Sequence, residues 1–135
     1  MIYTGTIADD FTPKEGKSNY FKMTPGDHRI RVLGNSISGW LYWTDTTDGG
    51  RKPVRLTEEE NPPVEFADTV RKFLTFPIWN YENEQIQIWE VTQSSIQKTL
   101  KALDKDKDWG ALTEYDLGIE RTGSDMQNTR YNVTP

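Results

Sequence analysis

The chain has 135 residues, enough for one domain with a real core. It carries 16 Lys+Arg against 21 Asp+Glu, a formal net charge of −5, and this acidic balance gives no support by itself to nucleic-acid binding. The absence of cysteine excludes disulfides, thiolate zinc sites and a cysteine nucleophile, and a single histidine, His28, excludes a His-rich metal centre. Aromatic residues make up 12% of the chain, against the depletion that marks wholesale disorder. No apolar run has the length of a bilayer span, and the first residues lack the basic and apolar regions of a signal peptide. The expectation is a soluble, intracellular, single-domain protein.

Residues 1–17 are polar, with Gly5, Pro13 and Gly16 and no sustained period, and read as a flexible N-terminal arm. The folded domain is expected over 18–135. Tyr20-Phe21-Lys22-Met23 is short and extended, and Pro25-Gly26-Asp27 signals a turn. Residues 28–33 alternate, placing Arg29 and Arg31 on one face and Ile30 and Val32 on the other. His28, at the start of that strand, reads as an exposed turn residue. After Gly34-Asn35-Ser36, residues 37–44 form a second strand, with Trp40 and Tyr42 on one face and Leu41 and Trp43 on the other.

Residues 45–69 read as a long loop, basic at Arg51, Lys52 and Arg55 and acidic at Glu58, Glu59 and Glu60. Residues 70–79 are the richest strand, though Pro77 predicts that its far end is an edge or a bulge. Residues 80–84 connect it to a returning strand over 85–91. Ile96, Leu100 and Leu103 recur at helical spacing after Ser94 or Ser95 as N-cap, with Lys98 and Lys101 facing water. Strands over 117–122 and 129–133 close the chain. The order is strand, strand, long loop, strand, strand, helix, strand, strand. It suits a mainly β fold, a small antiparallel barrel of the oligonucleotide/oligosaccharide-binding type with one helix, and a β-sandwich fits the pattern nearly as well.

Little enzymatic chemistry is visible. Gly49-Gly50 lacks the Gly-Lys-Ser/Thr spacing of a phosphate loop. Asp104, Asp106 and Asp108 imitate a calcium loop without its glycine. No carboxylate pair stands out as acid and base. No cofactor and no metal are expected. What rises above background is the interleaving of cations and aromatics on predicted strands. Binders of single strands need both, cations along the backbone and flat rings on which bases stack. Arg29, Arg31, Trp40, Tyr42, Arg51, Lys52, Arg55, Arg71 and Phe73 fit that need. Several have a plainer reading: Trp40 and Phe73 as core, Arg29 and Arg31 as a solvated face, Arg51 and Lys52 as plain loop charge. Residues 1–57 carry 8 Lys+Arg and 6 Asp+Glu, a net +2, whereas residues 58–135 carry 8 and 15, a net −7. The first strands are therefore the favoured surface for a polyanion.

Several stretches carry a resemblance. Gly39-Trp40-Leu41-Tyr42-Trp43-Thr44 and Lys52-Pro53-Val54-Arg55 are two of them. Phe73-Leu74-Thr75-Phe76-Pro77-Ile78-Trp79-Asn80, continued by Ile86 to Ile96, is a third, and Trp109-Gly110, Tyr115-Asp116-Leu117-Gly118-Ile119, Arg121-Thr122-Gly123 and Tyr131-Asn132-Val133-Thr134-Pro135 complete the series. In order and spacing this set resembles the bacteriophage single-stranded DNA-binding proteins of the helix-destabilising type, over about 18–135. The resemblance implies an oligonucleotide-binding fold, no enzymatic activity, and sequence-tolerant binding of single-stranded DNA in phage replication, recombination or repair. It implies location in the host-cell cytoplasm, no membrane, and phage or host replication and recombination proteins as further partners. Carried over residue by residue, it points to Arg29, Arg31, Trp40, Tyr42, Lys52, Arg55, Phe73, Trp79 and Arg121. A Cys/His zinc site known in this class is not carried over, since the chain has no cysteine. Many members continue into an acidic recruiting tail, and none is carried over past Pro135. The rival readings are the same barrel as a protein-interaction module without nucleic-acid binding and, more remotely, a metal-dependent nuclease.

Overall fold

The structure, a computed structural model, describes residues 19–123, 125 and 127–135. The arm expected over 1–17 lies outside them. The architecture is mainly β: seven antiparallel strands in one sheet and one α-helix. The strands are β1 (Gly26–Val32), β2 (Ile37–Asp45), β3 (Arg51–Thr57), β4 (Arg71–Asn80), β5 (Gln85–Val91), β6 (Asp116–Thr122) and β7 (Arg130–Thr134). Helix α1 (Ser94–Lys105) follows β5. The order across the sheet is β3-β2-β4-β1-β6-β7, with β5 on the other edge of β4. Among the described residues β5 and β7 are not paired, so the sheet is not closed. Tyr20 instead makes a parallel bridge to Ile88 of β5. Among the described residues no helix is long and apolar enough to cross a membrane.

Strands β1 and β2 lie end to end along one edge of β4. Val32 pairs with Ile78, and Leu33 N–H donates to the Pro77 carbonyl at 2.8 Å. Pairing resumes at Ile37 with Thr75, so Gly34-Asn35-Ser36 oppose Phe76 alone. This excess of residues explains Pro77. Expected at an edge or bulge, it sits inside a central strand, but opposite the break, where no ladder bond is asked of the missing N–H. A Cβ on Gly34 would meet the proline ring at 3.3 Å. The break also frees β1 to pair with β6 and β2 to pair with β3.

The region expected as a loop is therefore partly ordered. It holds β3 and a short 3-10 helix (Val64–Phe66). Lys, Arg and Pro53 gave β3 a poor strand signature, yet they suit a strand on the sheet edge. Beyond Leu41, β2 pairs only with β3, so the two run on as a ribbon closed near Gly49 (φ +88°).

The core lies between the sheet and α1. It contains Ile30, Val32, Phe76, Ile78, Trp89, Val91, Leu117, Ile119 and Val133 from strands, and Ile96 and Leu100 from α1. Phe76, Ile78, Trp89 and Leu100 are all buried. Two expectations fail here. No Ser caps α1, because the helix begins at Ser94 with Gln93 as N-cap and no side-chain cap bond. His28 is not exposed but buried, with its ring edge against Phe21. Its Nδ1 lies 3.0 Å from Glu82 and its Nε2 2.7 Å from the Thr24 carbonyl. It ties the start of β1 to the β4–β5 turn.

Gly39 is the tightest backbone contact. A Cβ there would lie 2.1 Å from the Leu56 carbonyl oxygen and 3.0 Å from the Phe73 ring. The carbonyl belongs to the neighbouring strand and has no room to retreat without breaking the ladder. Gly39→Ala is expected to cost about 1–3 kcal/mol or more, read as a lower denaturant midpoint. A neutral result would place β3 elsewhere.

Candidate nucleic-acid interface

Directly paired residues on adjacent strands share a face. The register thus fixes what the side of the sheet opposite α1 displays. One row runs Asp116, Arg31, Trp79, Ile86 across β6, β1, β4 and β5. The next holds Gly118, Arg29 and, through its N–H to the Arg29 carbonyl, Tyr81. On the other side of the first row lie Leu33, Pro77, Ile88 and Tyr20. Farther along come Ile37, Thr75 and Glu90, then Gly39 and Phe73, then Arg55, Leu41 and Arg71. Trp43 and Arg51 continue this face onto the ribbon, the guanidinium 5.8 Å from the Trp43 ring centre.

The sheet curls toward this face. Arg55 donates to both oxygens of Glu90, at 2.7 and 2.9 Å, although β2 and β4 lie between their strands. In a flat sheet β3 and β5 stand about 14 Å apart, too far for side chains that project perpendicular to it. Glu90 raises the proton affinity of the Arg55 guanidinium, chiefly through those hydrogen bonds.

At the other end one carboxylate gathers donors from three side chains. Arg29 donates to Asp116 Oδ2 through Nε at 3.0 Å and through a second nitrogen. Tyr81 Oη donates to Oδ1 at 2.7 Å, and Arg31 stands 3.5 Å from the same oxygen. The Arg29 guanidinium also lies 4.8 Å from the Tyr81 ring centre. Partial burial opposes ionisation of Asp116, but the bonds from Tyr81 and Arg29 outweigh it, and the carboxyl titrates below the ordinary aspartate range. The same bond to Asp116 pushes the Tyr81 phenol up. A depressed folded value contributes stability above the unfolded pKa, lost as pH falls through the folded one.

Of the nine residues singled out in sequence, Arg29, Arg31, Arg55, Phe73 and Trp79 share this face. Phe73 is nevertheless buried against Gly39 and presents no free ring. Trp40, Tyr42 and Lys52 point to the opposite side of the ribbon, as the parity of β2 and β3 requires. Tyr42 is buried there, stacked on Phe66 at 4.5 Å, so it offers no platform for a base. Trp40 is half-buried, with Lys72 Nζ 5.1 Å from its ring centre. Arg121 also faces the core side, where it donates to the Met23 carbonyl at 2.9 Å, a structural tie remote from Arg29 and Arg31. Sequence reasoning missed Tyr81, Ile86 and Asp116. The alternation Ile86-Gln87-Ile88-Trp89 held a signal, since Trp89 inside puts both isoleucines outside, with Ile86 64% exposed.

A cleft of about 620 Å³ opens on the core side between α1 and the β1–β2 break, with Lys72, Lys98 and Lys101 at its rim. Among the described residues no group of three His, Cys, Asp or Glu side chains is placed to hold a metal ion. Compared with protein-family models, curated proteins and solved structures, the chain matches none.

Proposed function

We propose that the protein is a non-enzymatic single-stranded DNA-binding protein of the phage helix-destabilising type, and that the strand lies along the curled face of β1, β4 and β5. One observation carries the reading: this face combines exposed aromatics with five arginines, Arg29, Arg31, Arg51, Arg55 and Arg71, in a chain of net charge −5. The acids sharing it, Asp45, Glu90, Asp116 and Glu120, leave it close to neutral rather than acidic. Tyr81 and Trp79 offer rings for stacking and the arginines offer charge for phosphates. Because every base has a π-face, binding tolerates sequence. By holding only the open form, the protein shifts the duplex equilibrium by mass action.

The strand order supports an oligonucleotide-binding fold. Taking β1 and β2 as one broken strand, the series is β1/β2, β4, β5, α1, β6, β7, with β1 shared between β4 and β6. We read this series as that of a five-stranded partly open barrel with its helix after the third strand, without the closing pair among the described residues. The β2–β3 ribbon is then an elaboration of the first connection. Replication and recombination proteins of phage or host are the further partners of this reading, and the host cytoplasm its location.

The second reading, a protein-docking module on the same face, is favoured by the exposed isoleucines Ile37 and Ile86, which give bases little to stack on. The deciding experiment is intrinsic tryptophan fluorescence titrated with a thymidine oligomer at low and raised salt. Quenching that salt reverses, with none from duplex, is the expected result. No quenching and no band shift would overturn the DNA reading in favour of protein docking.

A further inference from the structure

We infer that the Asp116 carboxylate occupies the place of a backbone phosphate, and that a bound strand takes Arg29, Arg31 and Tyr81 from it. This deepens the single-strand reading and rests on it. The geometry is that of an anion site already filled. Two nitrogens of Arg29, one of Arg31 and the Tyr81 hydroxyl converge on the two oxygens of one carboxylate. Such a fork of N–H groups with a hydroxyl is what recognises a phosphodiester.

The donors are accessible. The Arg29 side chain is 67% exposed and that of Arg31 36%, whereas Asp116 is 23% exposed beneath them. Trp79 is the cross-strand neighbour of Arg31, so a phosphate held there sets the adjoining base beside a half-buried ring. Asp116 plays two parts. It aligns the donors in the free protein, and it competes with the ligand, so that these arginines exchange one anion for another instead of releasing counterions. The consequence is a salt dependence shallower than the number of arginines on the face suggests.

Asp116→Asn keeps a hydrogen-bond acceptor and deletes the charge. Thymidine-oligomer affinity at low salt is expected to rise about two- to fivefold, the equivalent of one exposed ion pair released. The slope of log K against log salt is expected to steepen by roughly 0.7 for each phosphate whose arginine now sheds counterions. Glu120→Gln is the control. It removes the same charge from the same strand and face, and no hydrogen bond or ion pair ties Glu120 to an arginine among the described residues. Equal effects from the two variants, or weaker binding by Asp116→Asn, would overturn the inference while the DNA reading stands. Wild-type protein that binds no oligomer at any salt would sink both.

A second measurement needs no variant. The Asp116 carboxyl carbon is followed by NMR through a pH titration, with and without the oligomer. Losing its donors to a phosphate, the carboxyl should titrate at higher pH in the complex. An unchanged midpoint in a complex that has formed would overturn the exchange.

Discussion

Trp89→Ala is expected to cost about 3–5 kcal/mol, much of the stability of a domain this size. Trp89 has no exposed surface. It pairs across the ladder with Phe76, its ring 6.0 Å from that phenyl, and it meets Phe21 edge-on at 6.2 Å. Alanine would leave an indole-sized void at the centre of the cluster that joins β1, β4, β5 and α1, and rigid strands on every side would collapse into it only partly. The measurement is urea unfolding at 25 °C, followed by circular dichroism so that the lost indole does not confuse the signal. The midpoint should fall with the slope unchanged. Ile86→Ala on the same strand, pointing to the opposite side, should shift stability by no more than about 0.5 kcal/mol. A Trp89 loss below about 1 kcal/mol would mean that the β5 register is wrong by one residue, since a one-residue slip exchanges the two faces.

That register sensitivity also explains what was legible in the sequence. Alternation located β1 and β5, and runs rich in apolar and aromatic residues located β2 and β4, each to within a residue or two, while helical spacing located α1. Ile30 and Val32 against Arg29 and Arg31 gave the faces of β1 outright, because only one side was apolar. In β4 both sides are apolar. Phe73 is buried on one face and Phe76, Ile78 and Asn80 on the other, so no period in the sequence tells which ring meets the core. The difference is tertiary: Phe73 is covered because Gly39 lies opposite it and the sheet curls there. Tyr42 was misplaced for the same kind of reason. Its cover comes from Phe66, twenty-four positions along the chain in a segment without strand or helix periodicity. Arg121 was expected as a contact only through the resemblance. Its parity with Leu117 and Ile119 puts it on the inner side, and the carbonyl it satisfies belongs to Met23. His28 shows the converse error, a polar residue buried because the distant Glu82 carboxylate and the nearby Thr24 carbonyl both meet its ring. Strand β3 carried too many charges to register as a strand, although an edge strand requires little else. The site was legible as a composition of arginines and aromatic rings, and its assembly onto one face needed the pairing.

Trp79→Ala is expected to weaken binding of a thymidine oligomer by about 5- to 150-fold, the 1–3 kcal/mol typical of one stacked base. Trp79 is the large ring at the centre of the row that runs from Asp116 through Arg31 to Ile86, and it stands outside the core cluster. Truncating it should therefore remove a stacking platform while leaving the packing around Trp89 intact, and the thermal midpoint should move far less than for Trp89→Ala. The chain has five tryptophans, and Trp89 is fully buried. Fluorescence can separate the contribution of Trp79 from that of Trp40, Trp43 and Trp109. Trp79→Phe keeps a face for stacking and deletes one emitter. It should retain most of the affinity, now read by anisotropy of a labelled oligomer, while losing a large share of the quenching. Duplex of the same length should bind both variants and the wild type equally weakly, because paired bases offer no free faces. Unchanged oligomer affinity in Trp79→Ala would move the strand off β4, and the exposed Trp43 and Arg51 of the ribbon would become the next residues to replace.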